Sequence, residues 1–387
     1  MFNHVGILVF EAVPFAVCMA LYAAYRARVK SQFSDRYYRS VPAPDHPAVL
    51  GVLSRGAISF GDDMAAALMR LVALGKLRVK AIERQSVSKL GRCGTEYDYR
   101  LVKIEDIDDS VQGDATSEDL RSIDCATMDF LFKSVALHGE PDDKPWSSTG
   151  QGSEESIVLS EVTNMARMYP YEFWDAYERW GSSVNAALES RGYMTKRVEP
   201  YSKAAFGSFL LYLLLLLLHV AFFITGKANS YAMVVASILL NTLLSVACIL
   251  VYAFLKPMTQ EGAELRAKLR ALRNWLEDFS CLNEGVSTNA KYWSKLLTVA
   301  TALGVVDRSV EQLQHIAPTV LKDPLVSSCN WDGRGSNGMS CVREIRSILD
   351  KAYSKAYMVV YSKRRHVGGF YKHDSLERAW LTIDGAR

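Results

Sequence analysis

Charge disappears from two long stretches of this chain. Phe206–Thr225, FGSFLLYLLLLLLHVAFFIT, contains no Asp, Glu, Lys or Arg, and after GKANS a second run from Tyr231 to Leu255 again lacks them. Each is long enough to cross a hydrocarbon core, which takes roughly twenty residues. The five-residue link cannot cross back, so the pattern predicts a transmembrane hairpin over 204–256 whose outer ends share one side. A third apolar run, Phe2–Tyr25, is interrupted by Glu11 and Pro14 and predicts a spanning anchor over 1–27.

Between anchor and hairpin the pattern turns amphipathic. Pro42, Pro44 and Pro47 stop the anchor helix, and a helix through Ala48–Arg55 follows. Asp62 or Asp63 is placed to cap a second helix with Met64, Leu68, Leu71 and Val72 on one face and Gly75 at its end. The alternating LRVKAI and YDYRLVKI read as two strands around a glycine-containing loop at 84–95. Helix, helix, strand, loop, strand is a winged-helix order, giving a first module over 28–110. A helix near Leu120–Leu137 lies between polar loops, and Ser160 is placed to cap the next. Phe173, Tyr177, Trp180, Val184 and Leu188 then form a helical stripe closed by Gly192, with YMTK as a short strand. The order resembles the first, so 111–203 is expected to be a second winged-helix-like module. Its aromatic stripe is expected in the core, not in a ligand cage.

Past the hairpin, Leu265, Leu269, Leu272, Leu276 and Phe279 alternate at spacings of three and four with charges between them. Trp293, Leu296, Leu297, Ala300 and Leu303 make a matching stripe that Gly304 ends. This second stretch is too short to span. The two stripes predict an antiparallel juxtamembrane hairpin over 257–320, in which Trp275, Trp293, Leu296, Ala300 and Leu303 serve packing or interaction. A linker and helical tail, with a helix over Cys341–Tyr361, fill 321–387. The expected fold is a mainly α membrane protein: three transmembrane helices, cytoplasmic α+β winged-helix-like modules and a juxtamembrane helical hairpin.

Charge orients these segments. Arg191, Lys196, Arg197 and Lys203 precede the hairpin and Lys256, Arg266, Lys268 and Arg270 follow it, against Lys227 in its turn. Arg26, Arg28, Lys30, Arg36 and Arg39 follow the anchor. The positive-inside bias therefore puts both flanks in the cytoplasm and Met1 outside, a multi-pass cell-membrane topology with a cytoplasmic bulk. A signal peptide would carry its basic residues before the apolar run, and Phe-Ala-Val before Cys18 is not a lipoprotein triplet. The seven cysteines contain no C-x-x-C, which fits buried thiols in a reduced compartment. The net charge of +3 makes no general case for nucleic-acid binding.

Several of these residues also carry a family signature. Thr259-Gln-Glu-Gly262, Leu272-Arg-Asn-Trp-Leu-Glu-Asp-Phe279, Tyr292-Trp293 and Ala300-Thr-Ala-Leu-Gly-Val305 resemble the carboxyl-terminal region of the YciQ-like predicted bacterial membrane proteins. Leu74-Gly-Lys-Leu-Arg78 looks like that family's preceding cytoplasmic segment. The likeness runs from about residue 20 to 310. It implies an extracytoplasmic domain, a span, a cytoplasmic helical domain, a membrane hairpin and a helical tail, and it carries over no catalytic residue. Here Met1 directly precedes the first span, so the outer domain is expected to be missing through truncation or a split gene. Residues 321–387 replace the family's Gly/Ser-rich end.

Motifs for chemistry are sparse. Glu11 and His219 are the ionisable groups at membrane depth, and such groups mark functional sites because charge in lipid is costly. No acid-base partner stands in register for them, so a structural role is expected over a proton relay. The candidate recognition helix, 62–74, offers two Asp and only Arg70, followed by an acidic stretch from Glu105 to Asp124, which would repel DNA. Gly333, Gly335 and Gly338 match G-x-G-x-x-G without the preceding strand a dinucleotide site needs, so a flexible linker is expected. Lys363-Arg364-Arg365-His366 reads as a solvated helix end before it reads as a lipid contact. His366 and His373 have no zinc-spaced companions, and no G-x-S-x-G, H-E-x-x-H or Walker lysine motif is present. The sequence thus predicts a membrane-anchored interaction or regulatory protein, without catalysis or cofactor, whose partners are the lipid bilayer and other proteins and not nucleic acid. The alternative is a component of an envelope transport or assembly complex. A membrane hydrolase lacks a nucleophile and base.

Overall fold

The computed structural model describes residues 4–87, 93–104, 116–138, 155–194, 199–224, 231–254, 258–278, 289–316, 318–321 and 339–366. It is mostly helical with one small sheet. The elements are α1 (His4–Arg28), α2 (Pro47–Arg55), α3 (Phe60–Ala73), β1 (Leu77–Val87), β2 (Cys93–Lys103), α4 (Thr116–Met128), a π-helical stretch (Asp129–Val135) and α5 (Ala136–His138). Then come β3 (Ser156–Val158), α6 (Leu159–Met168), α7 (Pro170–Ser190), α8 (Glu199–Ile224), α9 (Tyr231–Phe254), α10 (Gln260–Glu277), α11 (Ala290–Ala302), α12 (Val306–Ile316), α13 (Pro318–Leu321) and α14 (Met339–His366). They fall into two compact units, Met1–Phe33 with Arg191–Glu264, and Ser34–Ser190 with Leu265–Arg387.

In the first unit α1 packs on α8 and α9. The Phe15 amide, next to Pro14 of α1, donates to the Tyr212 hydroxyl of α8 at 2.9 Å. Cys18 of α1 meets Cys248 of α9, and the Tyr25 hydroxyl donates to the Met258 carbonyl just past α9 at 3.3 Å. Both chains advance together along these contacts, so α1 runs parallel to α9 and antiparallel to α8. Cys18, Ala205, Tyr212, Leu244, Cys248 and Val251 are buried between them. Leu211, Leu214, Leu217, Leu239 and Leu243 stay exposed. Among the described residues, Val235–Tyr252 is the one helical stretch long and apolar enough to cross a membrane by length and composition, with a shorter apolar stretch at Lys203–Leu218.

The way out of α9 is fastened by the signature's Thr259 and Gly262. The Thr259 hydroxyl donates to the Gly192 carbonyl at 2.8 Å and accepts the Gly262 amide at 3.1 Å. Met194 makes an isolated bridge with Met258, so YMTK contributes a bridge where a strand was expected. Glu264 then accepts the Ser31 hydroxyl and the Gln32 and Phe33 amides at 2.8–3.0 Å.

The second unit holds the sheet. β1 and β2 pair antiparallel from Leu77↔Lys103 to Val87↔Cys93, longer than the sequence pattern suggests. β3 joins β2 antiparallel at Arg100↔Val158, giving the order β1-β2-β3. The segment expected to open a separate helical pair thus begins with a strand of the first sheet. Two capping expectations are corrected. α3 starts one turn early, with Ser59 as its N-cap residue, and the Asp63 carboxylate reaches back to accept the Ser59 amide at 2.8 Å. Ser160 lies inside α6, because the strand runs straight into the helix, and its amide donates to Asp98 of β2 at 3.2 Å.

Phe60 centres the core. Phe130 from the π-helical stretch and Phe173, Tyr177 and Trp180 from α7 meet it edge-on, with centroids 5.4–5.9 Å away. Such edge contacts suit the ring quadrupoles. Tyr353 of α14 stacks on Phe60 at 6.2 Å, and α14 buries Val342, Ile345, Leu349, Ala352, Ala356 and Val360.

Candidate functional site

Two polar clusters lie inside the second unit, and both are consumed in packing. At the start of α3, the Arg55 guanidinium binds the Asp63 carboxylate and the Ala302 carbonyl. Asp63 is fully buried. Burial lifts its pKa to about 6 against the downward pull of Arg55. Arg346 of α14 bridges Asp62 and Asp307, while Asp350 accepts the Gly61 amide at 3.1 Å. Burial also raises the Asp350 pKa, and Asp62 adds to the rise. The network ties α2, α3, α11, α12 and α14 together. Its carboxylates face arginines and amides, and among the described residues no group of three His, Cys, Asp or Glu is arranged to hold a metal.

The second cluster pairs His46 with Asp124 at 3.2 Å, and Arg70 binds the same carboxylate at 3.2–3.3 Å. A buried His–Asp pair invites comparison with a catalytic dyad. The ring's other nitrogen, Nδ1, accepts the Ala48 amide at 3.2 Å and caps α2. With Nε2 donating to Asp124, the ring has no lone pair left for a substrate proton. Burial pushes the His46 pKa down, against the pull of Asp124. Arg70, the lone basic group of the candidate recognition helix, is committed to the same cluster.

The residues singled out from the sequence fall in three places. Trp275 and Trp293 stack with centroids 6.3 Å apart, and both are buried with Leu296, Ala300 and Leu303. α11 packs chiefly on α3 and α2 and meets α10 through that stack. Glu11 and His219 lie in α1 and α8, and their side chains lie outside the described residues. The glycines at 333, 335 and 338, Phe279, and the side chains of the basic tail are likewise outside them.

Sequence reasoning missed the polar face of α9. Ser237, Asn241 and Ser245 are buried at successive turns on the stripe that carries Cys248. The Asn241 amide nitrogen donates to the Ser237 carbonyl at 2.9 Å. Its Oδ1, like the Ser245 hydroxyl, has no hydrogen-bond partner among the described residues. A lone Asn in a charge-free run was the available signal.

A model of the predicted membrane protein (DUF2207) C-terminal domain matches residues 34–313. The chain belongs to this family. The DUF2207 match covers the sheet, the aromatic core, α8 and α9, and the signature segments Thr259–Gly262 and Ala300–Val305. α14 lies beyond it, although its buried face completes the core. No curated protein and no solved structure matches the chain.

Proposed function

We propose that this DUF2207 family member is a three-span membrane protein, with its N terminus outside and its bulk in the cytoplasm, that binds another protein through winged-helix-like modules and catalyses no reaction. The observation that carries the reading is the pair of uncovered apolar faces on α8 and α9. Leucines at that density in water would cost the fold its solubility, and lipid removes the cost. The parallel run of α1 and α9 agrees with the topology read from charge. The α2-α3-β1-β2 order supports a winged-helix-like module, and the commitment of Arg70 to Asp124 argues against a DNA-reading one. An exposed apolar patch at Leu137, Met168, Tyr169 and Tyr171 offers a partner face, with His138 and Tyr169 in ring contact at 5.0 Å. The charged groups of the two polar clusters pair with one another, which supports the non-catalytic reading. The relatives implied by the signature are YciQ-like bacterial proteins.

Purification in mild detergent followed by crosslinking and mass spectrometry tests this reading. The expected result is one stoichiometric protein partner with crosslinks beside Leu137 and Tyr169, weakened in Tyr169→Glu. A chain that purifies alone under all conditions sinks it. The second reading, a component of an envelope transport complex, is favoured by the unmet polar atoms of Asn241 and Ser245.

A further inference from the structure

We infer that the groove between α3, α6 and α7 is a docking site for an amphipathic helix, which α14 fills in the resting chain and a partner's helix of the same chemistry displaces. This deepens the interaction reading and rests on it for the partner's existence. The match to the DUF2207 domain ends at residue 313, so the groove belongs to that domain and the helix filling it does not. α14 is joined to the domain covalently through residues 322–338 alone.

What α14 presents to the groove describes the helix that fits. Val342, Ile345, Leu349, Ala352, Ala356 and Val360 recur every three or four residues and are all buried. That is the anchor spacing of a helix laid into a groove. The amino-terminal half is held by charge: Arg343 binds Asp307 at 3.1 Å, and Arg346 reaches Asp62 at 2.5 Å and Asp307 at 3.4 Å. The carboxyl-terminal half is held by rings. Tyr353 stacks on Phe60, and Tyr353, Tyr357 and Tyr361 lie around Trp174 with centroids 5.7–6.1 Å from it. The groove therefore selects a helix with basic residues in its first turns, facing Asp62 and Asp307, and aromatic residues four apart in its last turns, facing Trp174.

The hold on α14 is incomplete. Arg346 Nε and Arg55 Nε are buried in the charged cluster without hydrogen-bond partners, and unmet donors on charged groups are the costly kind. A tethered helix has an effective concentration on the order of millimolar, so α14 stays in place until a competitor is brought to the same surface. A foothold for one adjoins it. Tyr171 of the exposed patch precedes Trp174 by one turn of α7, and Trp174 meets Tyr361 near the carboxyl end of α14. A partner held at the patch lies beside the end of α14 from which displacement starts.

Native-state hydrogen exchange on the full chain in mild detergent tests this, because it reads opening unit by unit. The amides of α14 should exchange about tenfold or more faster than those of α3 and α7. Arg346→Ala should speed α14 by about a further tenfold and leave α3 and α7 unchanged. Arg343→Ala, at a more exposed ion pair, serves where that variant fails to fold. An isotope-labelled peptide of residues 339–366, added in excess, should bind saturably and speed exchange of the chain's own α14; the same peptide with Arg346→Glu should do neither. The inference is overturned if α14 exchanges only together with α3 and α7, or if the peptide has no effect. Exchange of α14 that quickens with chain concentration would put a second copy's α14 in the groove and overturn it too. Opening is read on the chain alone, so these outcomes are separate from the crosslinks beside Leu137 and Tyr169 that test the interaction reading.

Discussion

His46 caps α2 through the lone pair of Nδ1 while Nε2 donates to Asp124. Protonation would fill that lone pair and break the cap, and burial already disfavours the cation. The folded pKa lies below the unfolded value near 6.5, so the stability His46 contributes is present above that pH and lost as pH falls through it. Its limiting slope is about 1.4 kcal/mol per pH unit. Asp63 acts with the opposite sign. Its folded pKa of about 6 exceeds its ordinary 3.8, so its contribution grows as pH falls between the two. Comparison with His46→Asn separates them, because asparagine keeps a capping oxygen and cannot titrate. Thermal unfolding along a pH series should show the wild type losing stability relative to His46→Asn below about pH 6.5. Parallel curves would mean that the ring is protonated in the fold at no cost.

The turn from hairpin to α10 shows what an element owes to a single residue. Gly262 is buried with the Tyr193 carbonyl oxygen against it, so a Cβ there would overlap backbone. Gly262→Ala should destabilise the fold by about 1–3 kcal/mol as an overpacked site, read as a lower melting temperature. An unchanged melting curve would show that the Tyr193 segment gives way freely. This is a physical reason for the Thr-Gln-Glu-Gly signature. Elements of this kind were legible wherever a local pattern specifies them: the stripe from Phe173 to Leu188 is buried as its spacing requires, and Gly192 and Gly304 adopt positive φ at helix ends. β3 was not legible as a sheet member, since three residues set no period and its pairing with Arg100 is long-range. Nor was the Arg55–Asp63 contact with Ala302, which depends on segments far apart in the chain.

At the scale of the whole molecule, internal geometry constrains topology independently of charge. If α1, α8 and α9 all cross the bilayer, the parallel contacts of α1 with α9 require both helices to start on one side. Single cysteines at Asn3 and Ala228 would then be labelled together by an impermeant maleimide, whichever side that is. The positive flanks make that side the exterior. Cys125, exposed in the second unit, provides an internal control that should react only after the membrane is opened. Labelling of Asn3→Cys and Ala228→Cys from outside, with Cys125 silent, is the expected pattern. Labelling of one engineered cysteine with protection of the other would break the parallel arrangement, and with it the register that brings Cys18 to Cys248. Protection of both until the membrane is opened would keep that register and invert the molecule, so the experiment distinguishes an error in the charge rule from an error in the helix packing.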